Sequence, residues 1–171
     1  MYENLADFTE QFADESDRGA ALISATLLEA DLRSLIAAFL IEDEDEINRL
    51  LGSDEYWDCP LGTFGARIRA AYCLGLISRD EFHDLGIIRR VRNNFAHELD
   101  TMSFGDEQIR NRCNSLRIAQ RLPTHISSSP RERFLFATGA LSISLSSRTW
   151  RAADERRQVP SESEALSWGE N

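Results

Sequence analysis

Apolar residues recur at helical spacing along most of the chain, and this pattern predicts a series of amphipathic helices. The clearest case is Ser78–His97. At about 100° per residue its apolar positions form a single stripe: Leu85, Ile88, Val91 and Phe95. Ser78 and Glu81 have the spacing of a capping box, which places the N-terminus of this helix. Arg92 projects into the stripe, about 40° from Ile88, where a leucine would be expected.

The same periodicity and the start and stop signals predict six further helices. We expect them over residues 2–12, from about 14 to 41, over 42–51 and 63–74, over about 106–122, and from 130 to about 157. The last helix is expected to contact the core through Phe134, Leu135, Ala137, Leu141, Leu145 and Trp150. The sequence shows no alternating strand pattern and no internal repeat, so the predicted class is all-α.

We expect one helical domain over residues 1–157, followed by an acidic, disordered tail over residues 158–171. The helices Glu15–Ile41 and Ser78–His97 are expected at the centre of the domain, the first because its apolar positions run nearly all round it. Gly75, between two predicted helices, suits a left-handed C-terminal position.

Charge is distributed unevenly within the formal net charge of −10. Residues 1–60 carry 16 acids and 3 arginines, whereas residues 61–157 carry 16 arginines and 10 acids. The chain contains no lysine, so every cationic side chain is a planar guanidinium that can bind an oxyanion with two hydrogen bonds. The patch that includes Arg89 and Arg90 could hold a phosphate or pair with the acidic half of the chain.

The composition argues against several classes of protein. Three widely spaced cysteines, with histidines that do not share a helix turn, argue against a disulfide framework and against a metal site, and we expect no cofactor. No apolar run approaches the ~20 residues of a membrane span and no signal-peptide pattern opens the chain, so we expect a cytoplasmic protein without membrane contact.

Direct reading of DNA is also disfavoured. The two helices around Gly75 suggest a helix-turn-helix, but the second of them begins with Asp80, Glu81 and Asp84, which would face phosphates. An acidic protein also repels duplex DNA at long range. We therefore expect no sequence-specific DNA binding by the isolated chain.

The string Arg92-Asn93-Asn94-Phe95-Ala96-His97 contains the strongest candidates for chemistry. Histidine can move a proton near neutral pH and arginine can stabilise phosphate charge, a combination that suits metal-free RNA cleavage. On an ideal helix, however, Arg92 and His97 lie about 140° apart, so they converge only if the helix ends or bends near Asn94 or if a second subunit completes the cleft. The alternative is that Arg92 is structural, paired with Glu15 or Asp17, and that His97 stabilises the helix C-terminus.

Four blocks of the sequence, in order and spacing, resemble the mannitol operon repressor family: residues 15–19, 60–68, 71–77 and 88–97. The resemblance covers about residues 1–122 and implies an all-helical fold without an obvious DNA-binding module. The repressor label of that family then implies action through a protein partner. The last block is also similar to the Arg-polar-x-x-x-His motif of the HEPN superfamily, many of whose members are dimeric ribonucleases, and Arg92, Asn93 and His97 map to its positions.

These patterns and resemblances lead to one leading expectation and one main alternative, while a purely structural or assembly subunit stays open as a third class. The leading expectation is a HEPN-like helical bundle that acts as a non-enzymatic regulator through protein contacts. A homodimer is expected, docked through a polar strip of Gly86, Arg90 and Asn93. The alternative is a metal-independent endoribonuclease that binds RNA and uses Arg92, Asn93 and His97.

Overall fold

The structure, a computed structural model, describes residues 8, 10–53, 55–56, 58–97, 102–120 and 129–161. The helices in these ranges are α1 (Asp17–Phe39), α2 (Glu44–Leu51), α3 (Phe64–Cys73), α4 (Arg79–His97), α5 (Glu107–Asn114), α6 (Arg117–Gln120) and α7 (Pro130–Asp154). No described residue lies in a strand, and the predicted all-α class is confirmed. No helix within the described residues is long and apolar enough to cross a membrane.

The core is built around α1 and α7, the two longest helices, with 23 and 25 residues. They make the most extensive helix contact of the structure, and α3 and α4 pack against α1 beside it. The predicted centre was α1 with α4, and this expectation underestimated α7. The stripe of α4 is nevertheless buried as predicted: Leu85, Ile88, Val91 and Phe95.

Side-chain caps fix where most of the described helices begin. Ser16, Asp43 and Thr63 each accept a hydrogen bond from a backbone N–H of the helix that follows. The capping box of α4 is present, since the Ser78 N–H donates to Glu81 Oε2 at 2.7 Å and the Glu81 N–H donates to Ser78 Oγ at 3.3 Å. Gly75 takes the expected positive φ, at 74°.

The predicted helix over residues 106–122 is instead two helices, α5 and α6. The buried Asp84 carboxylate of α4 accepts hydrogen bonds from the N–H groups of Arg117 (3.0 Å) and Ile118 (2.8 Å). In a continuous helix these N–H groups would donate to carbonyl groups of the preceding turn. Because they donate to Asp84 instead, α5 ends before Arg117 and α6 begins at Arg117.

The expectation for Trp150 differs from the structure, and those for the first helix and the acidic tail lie partly outside the described residues. Trp150 does not contact the core, because 74% of it is exposed: it is about 140° around α7 from the buried Leu145. Of the first predicted helix, only Phe8 and residues 10–12 are described, and Phe8 and Phe12 are buried. Most of the predicted acidic tail lies outside the described residues.

Candidate functional site

A groove of about 540 Å³ between α3 and α4 is the candidate site. We call it the arginine groove, because five arginines line it together with one histidine: Arg69, Arg79, Arg89, Arg90, Arg117 and His83. Its other lining residues are small or apolar: Thr63, Gly65, Ala66, Ile68, Phe82, Gly86 and Ile87. None of its lining residues is acidic, although the chain has a net charge of −10.

The helix period explains how α4 forms one wall of the groove. Arg79, His83, Gly86 and Arg90 follow the i, i+4, i+7, i+11 spacing of a single helix face. This face lies opposite the buried apolar stripe, and Gly86 leaves it open, since an added Cβ there would meet no atom within 4 Å. The N-terminal turn of α3 forms the facing wall and contributes the positive end of its dipole.

The pairing of the groove arginines is uneven. Arg117 forms an ion pair with Asp80 at 2.8 Å. Arg69, Arg79, Arg89 and Arg90 make no side-chain hydrogen bond or ion pair with any residue that the structure describes. The groove is therefore a concentration of positive charge that the described part of the protein leaves largely uncompensated.

His83 is held in place by the acid that begins α6. Its Nδ1 lies 2.9 Å from Asp84 Oδ1, and Asp84 is fully buried beneath it. When the carboxylate accepts from Nδ1–H, the imidazole ring is oriented and Nε2 is left to meet a ligand. This contact couples the groove wall to the α5–α6 break.

The predicted site residues are only partly brought together. Arg89 and Arg90 line the arginine groove. Asp17 lies elsewhere: it forms an ion pair with Arg131 at 2.5 Å and accepts the Phe104 N–H at 2.9 Å. The backbone carbonyl of Glu15 accepts from Arg131 at 2.6 Å.

The expected pairing of Arg92 with Glu15 or Asp17 is thus corrected, because α7 supplies the arginine that those residues bind. Arg92 is half-buried and donates to Asn93 Oδ1 at 3.2 Å. His97 is exposed at the end of α4. Because α4 is one α-helix through to His97, the separation of about 140° between Arg92 and His97 is kept within this chain.

Substitution of Arg92 should therefore have a small effect on stability. For Arg92→Ala and for His97→Ala we expect losses of about 1 kcal/mol or less in the free energy of unfolding, because neither leaves a buried acid unpaired among the described residues. Urea unfolding of both variants measures this. A loss of 3–5 kcal/mol for Arg92→Ala, the size typical of a broken buried ion pair, would instead restore the structural-pair interpretation.

An RNA degradation assay beside these melts tests the catalytic interpretation of the same residues. We expect no cleavage by the wild-type protein. RNA cleavage that is abolished by His97→Ala while the unfolding midpoint stays unchanged would make the ribonuclease alternative correct.

Several structural and groove residues were missed at the level of sequence. Arg67 is buried and bonded to three segments of the chain, and the Glu81–Arg148 pair joins α4 to α7. The face of Arg79, His83, Gly86 and Arg90 was visible as a spacing, but nothing local indicated that Arg69 and Arg117 would join it. Within the described residues, no group of three or more His, Cys, Asp or Glu side chains is placed to hold a metal ion.

Comparison with known proteins gives a consistent set of likenesses. The family model described as mannitol repressor matches residues 6–145, beyond the stretch to about 122 over which the resemblance was expected. Mannitol operon repressors from Escherichia coli strain K12 and from E. coli O6:H1 strain CFT073 are each 29% identical over 80 residues, which is 47% of this chain and 41% of each relative. The matched stretch thus spans less than half the length of these curated relatives.

A solved structure shares the fold. A chain of the X-ray structure of the MtlR–HPr complex from E. coli superposes with a TM-score of 0.67 at 20% identity. The likeness covers 83% of this chain and 98% of that one. At this identity it establishes the fold.

Proposed function

Because the chain belongs to the mannitol repressor family, we propose that it is a regulatory protein that acts through contacts with another protein and does not itself read DNA. The fold shared with a chain of the MtlR–HPr complex, over 98% of that chain, is the observation that carries this proposal. We further propose that the partner is an HPr protein, as in that complex.

The start of α4 supports the part of the proposal that concerns DNA. A recognition helix offers its N-terminal residues to base edges in the major groove. In this chain those residues are engaged within the protein: Asp80 pairs with Arg117, Glu81 pairs with Arg148, and Asp84 is buried against the start of α6. The first turn of α4 is therefore acidic, and its acids are paired within the protein.

A cytoplasmic location, a single domain over residues 1–157, a HEPN-like bundle and a homodimer complete the proposal. The homodimer was expected to dock through the strip of Gly86, Arg90 and Asn93. Because Gly86 and Arg90 line the arginine groove, two such strips would bring like charges together. We therefore propose a dimer contact outside the groove, which sedimentation at micromolar concentration tests.

Calorimetric titration of the purified full chain with purified HPr from the same organism tests the proposed function. We expect a stoichiometric complex, and with DNA fragments at physiological salt we expect weak, sequence-indifferent association at most. An acidic protein similar in size to HPr, titrated in its place, is the control for non-specific binding. Absence of an HPr complex together with tight, sequence-selective DNA binding by the isolated chain would overturn the proposal.

A further inference from the structure

We propose that the arginine groove is a binding site for a small organic phosphate, a phosphorylated metabolite whose phosphate group is held by the guanidinium groups that pair with no described residue. Binding of the phosphate is measured on the isolated chain, without HPr. The inference therefore stands or fails independently of the partner.

Unpaired charge is the first argument. The chain holds 29 acids against 19 arginines, so acids are not scarce. Three arginines outside the groove each pair with an acid of another helix: Arg67, Arg131 and Arg148. Arg69, Arg79, Arg89 and Arg90 all line one concave surface whose lining contains no acid. A bound anion would supply the negative charge that this lining lacks.

The shape of the groove is the second argument. A volume of about 540 Å³ lies within the range of small-molecule sites, roughly 300–1,000 Å³, and exceeds what one bare phosphate ion needs. Gly65 and Gly86 each leave one position of a groove wall without a side chain, and the guanidinium of Arg89 lies against Gly65, 3.4 Å from the position of an added Cβ. The guanidinium of Arg89 therefore fills the space beside Gly65, and the space beside Gly86 stays open. Larger residues at these two positions would narrow the groove.

The apolar part of the lining indicates an organic ligand. Phe82 lines the groove and is stacked on Tyr72, with ring centroids 4.5 Å apart, so Tyr72 holds the Phe82 ring in place. Ile68 and Ile87 add apolar surface beside it. Along the α4 axis Arg79 and Arg90 are about 16 Å apart, so a phosphate held near one end leaves room for an organic body along the groove.

The chemistry of the donors favours phosphate over other anions. Several guanidinium groups, each with a planar fork of N–H donors, match the oxygens of a phosphate dianion better than a single carboxylate. A duplex nucleic acid is disfavoured, since it would meet the field of a protein with net charge −10, whereas a small ligand meets only the local potential of the groove. An acidic protein segment is the competing occupant, and the experiment distinguishes it.

Calorimetric titration of the isolated full chain tests the proposal with four organic probes: glucose 6-phosphate, glucose, AMP and adenosine. Inorganic phosphate is the fifth probe. We expect at least one of the two organic phosphates to bind, at least 10-fold more tightly than inorganic phosphate, and neither uncharged counterpart to bind. Failure of both organic phosphates to bind would overturn the proposal.

Matched variants locate the binding. Arg89→Ala and Arg90→Ala should each weaken it about 10-fold or more, the usual effect of losing a hydrogen bond to a charged group. Arg110→Ala, which removes an exposed arginine outside the groove, should leave it unchanged. Gly86→Ala should retain binding, because an added Cβ at this position meets no atom within 4 Å. Gly86→Trp places an indole in the groove and should abolish binding. Melting midpoints are recorded for every variant.

Two results would contradict this location. One is an equal loss of phosphate binding for Arg110→Ala and Arg89→Ala. This result would show that binding depends on the net charge of the protein and not on the groove. The other is failure of the organic phosphates while HPr binds the wild type and Arg89→Ala prevents it, which would make the groove a protein-docking surface. If HPr fails to bind but an organic phosphate binds with the expected variant pattern, the ligand site stands and the proposed partner does not.

Discussion

Glu81→Ala should lower the free energy of unfolding by about 3–5 kcal/mol at neutral pH, as expected when one partner of a buried ion pair is removed. Glu81 is 8% exposed, and its carboxylate accepts from both terminal nitrogens of Arg148, at 3.0 and 2.9 Å. It also accepts from the Ser78 N–H and the Ser144 hydroxyl. The substitution therefore leaves Arg148 without its acid and α4 without half of its capping box.

Asp80→Ala is the matched control, since Asp80 is the neighbouring acid in the same helix turn and also pairs with an arginine, Arg117. That pair is more than a third exposed on both sides, so its loss should cost about 1 kcal/mol or less. Urea unfolding of the two variants gives the comparison. Equal costs would show that burial of the Glu81–Arg148 pair contributes nothing.

The same pair predicts an acid-dependent loss of stability. Burial alone would raise the pKa of Glu81, but hydrogen bonds from Arg148 and Ser78 and the charge of Arg148 outweigh it and lower the pKa from 4.5 to about 2. A carboxyl whose pKa is lowered by folding stabilises the protein above its unfolded pKa, and that contribution is lost as the pH falls through the folded pKa. The shift corresponds to about 3 kcal/mol at neutral pH.

Glu81→Gln removes this titration while keeping the side-chain volume. The stability difference between the wild type and Glu81→Gln should therefore be constant above about pH 5 and should shrink between about pH 4.5 and pH 2. Unfolding midpoints in urea over this range measure it. A difference that does not depend on pH would contradict the lowered pKa.

Arg67→Ala should be about as destabilising, at about 3–5 kcal/mol, because it leaves several acceptors without a donor. The buried guanidinium donates to Leu61 O at 3.0 Å, to Leu51 O at 2.7 Å and to Glu29 O at 3.3 Å. Leu51 O belongs to the last turn of α2, whose carbonyls have no partner within the helix, so Arg67 caps α2 while joining α3 to α1.

Arg69→Ala is the control for Arg67→Ala, because Arg69 is an exposed arginine two residues further along the same helix. Its substitution should change the free energy of unfolding by about 0.5 kcal/mol or less. Arg67→Lys should recover little of the loss, since one ammonium group lacks the planar fork that reaches carbonyls in separate directions. Chemical unfolding of the three variants tests this, and an Arg67→Ala cost close to that of Arg69→Ala would contradict it.

The sequence by itself determined most of the described helices and the buried stripe of α4; the exception is the stretch over residues 106–122, which forms two helices. Ser78 caps α4 where the sequence predicts, α7 begins at Pro130 as expected, and Gly75 takes the expected left-handed conformation. These features depend on residues within one or two turns of each other, so local spacing was sufficient to predict them.

The tertiary structure alone decided which charges meet. Asp17 binds Arg131, which is 114 residues away in the sequence, and does not bind Arg92. Asp84 accepts the N–H of Arg117, 33 residues further along the chain, and this contact interrupts the helix that was predicted over residues 106–122. The arginine groove likewise needs α3, α4 and α6 to come together before Arg69 and Arg117 join the face of Arg79 and Arg90. A charged side chain can accept any opposite charge that the packing of the helices brings within reach, so its partner is fixed by that packing and not by its neighbours in sequence.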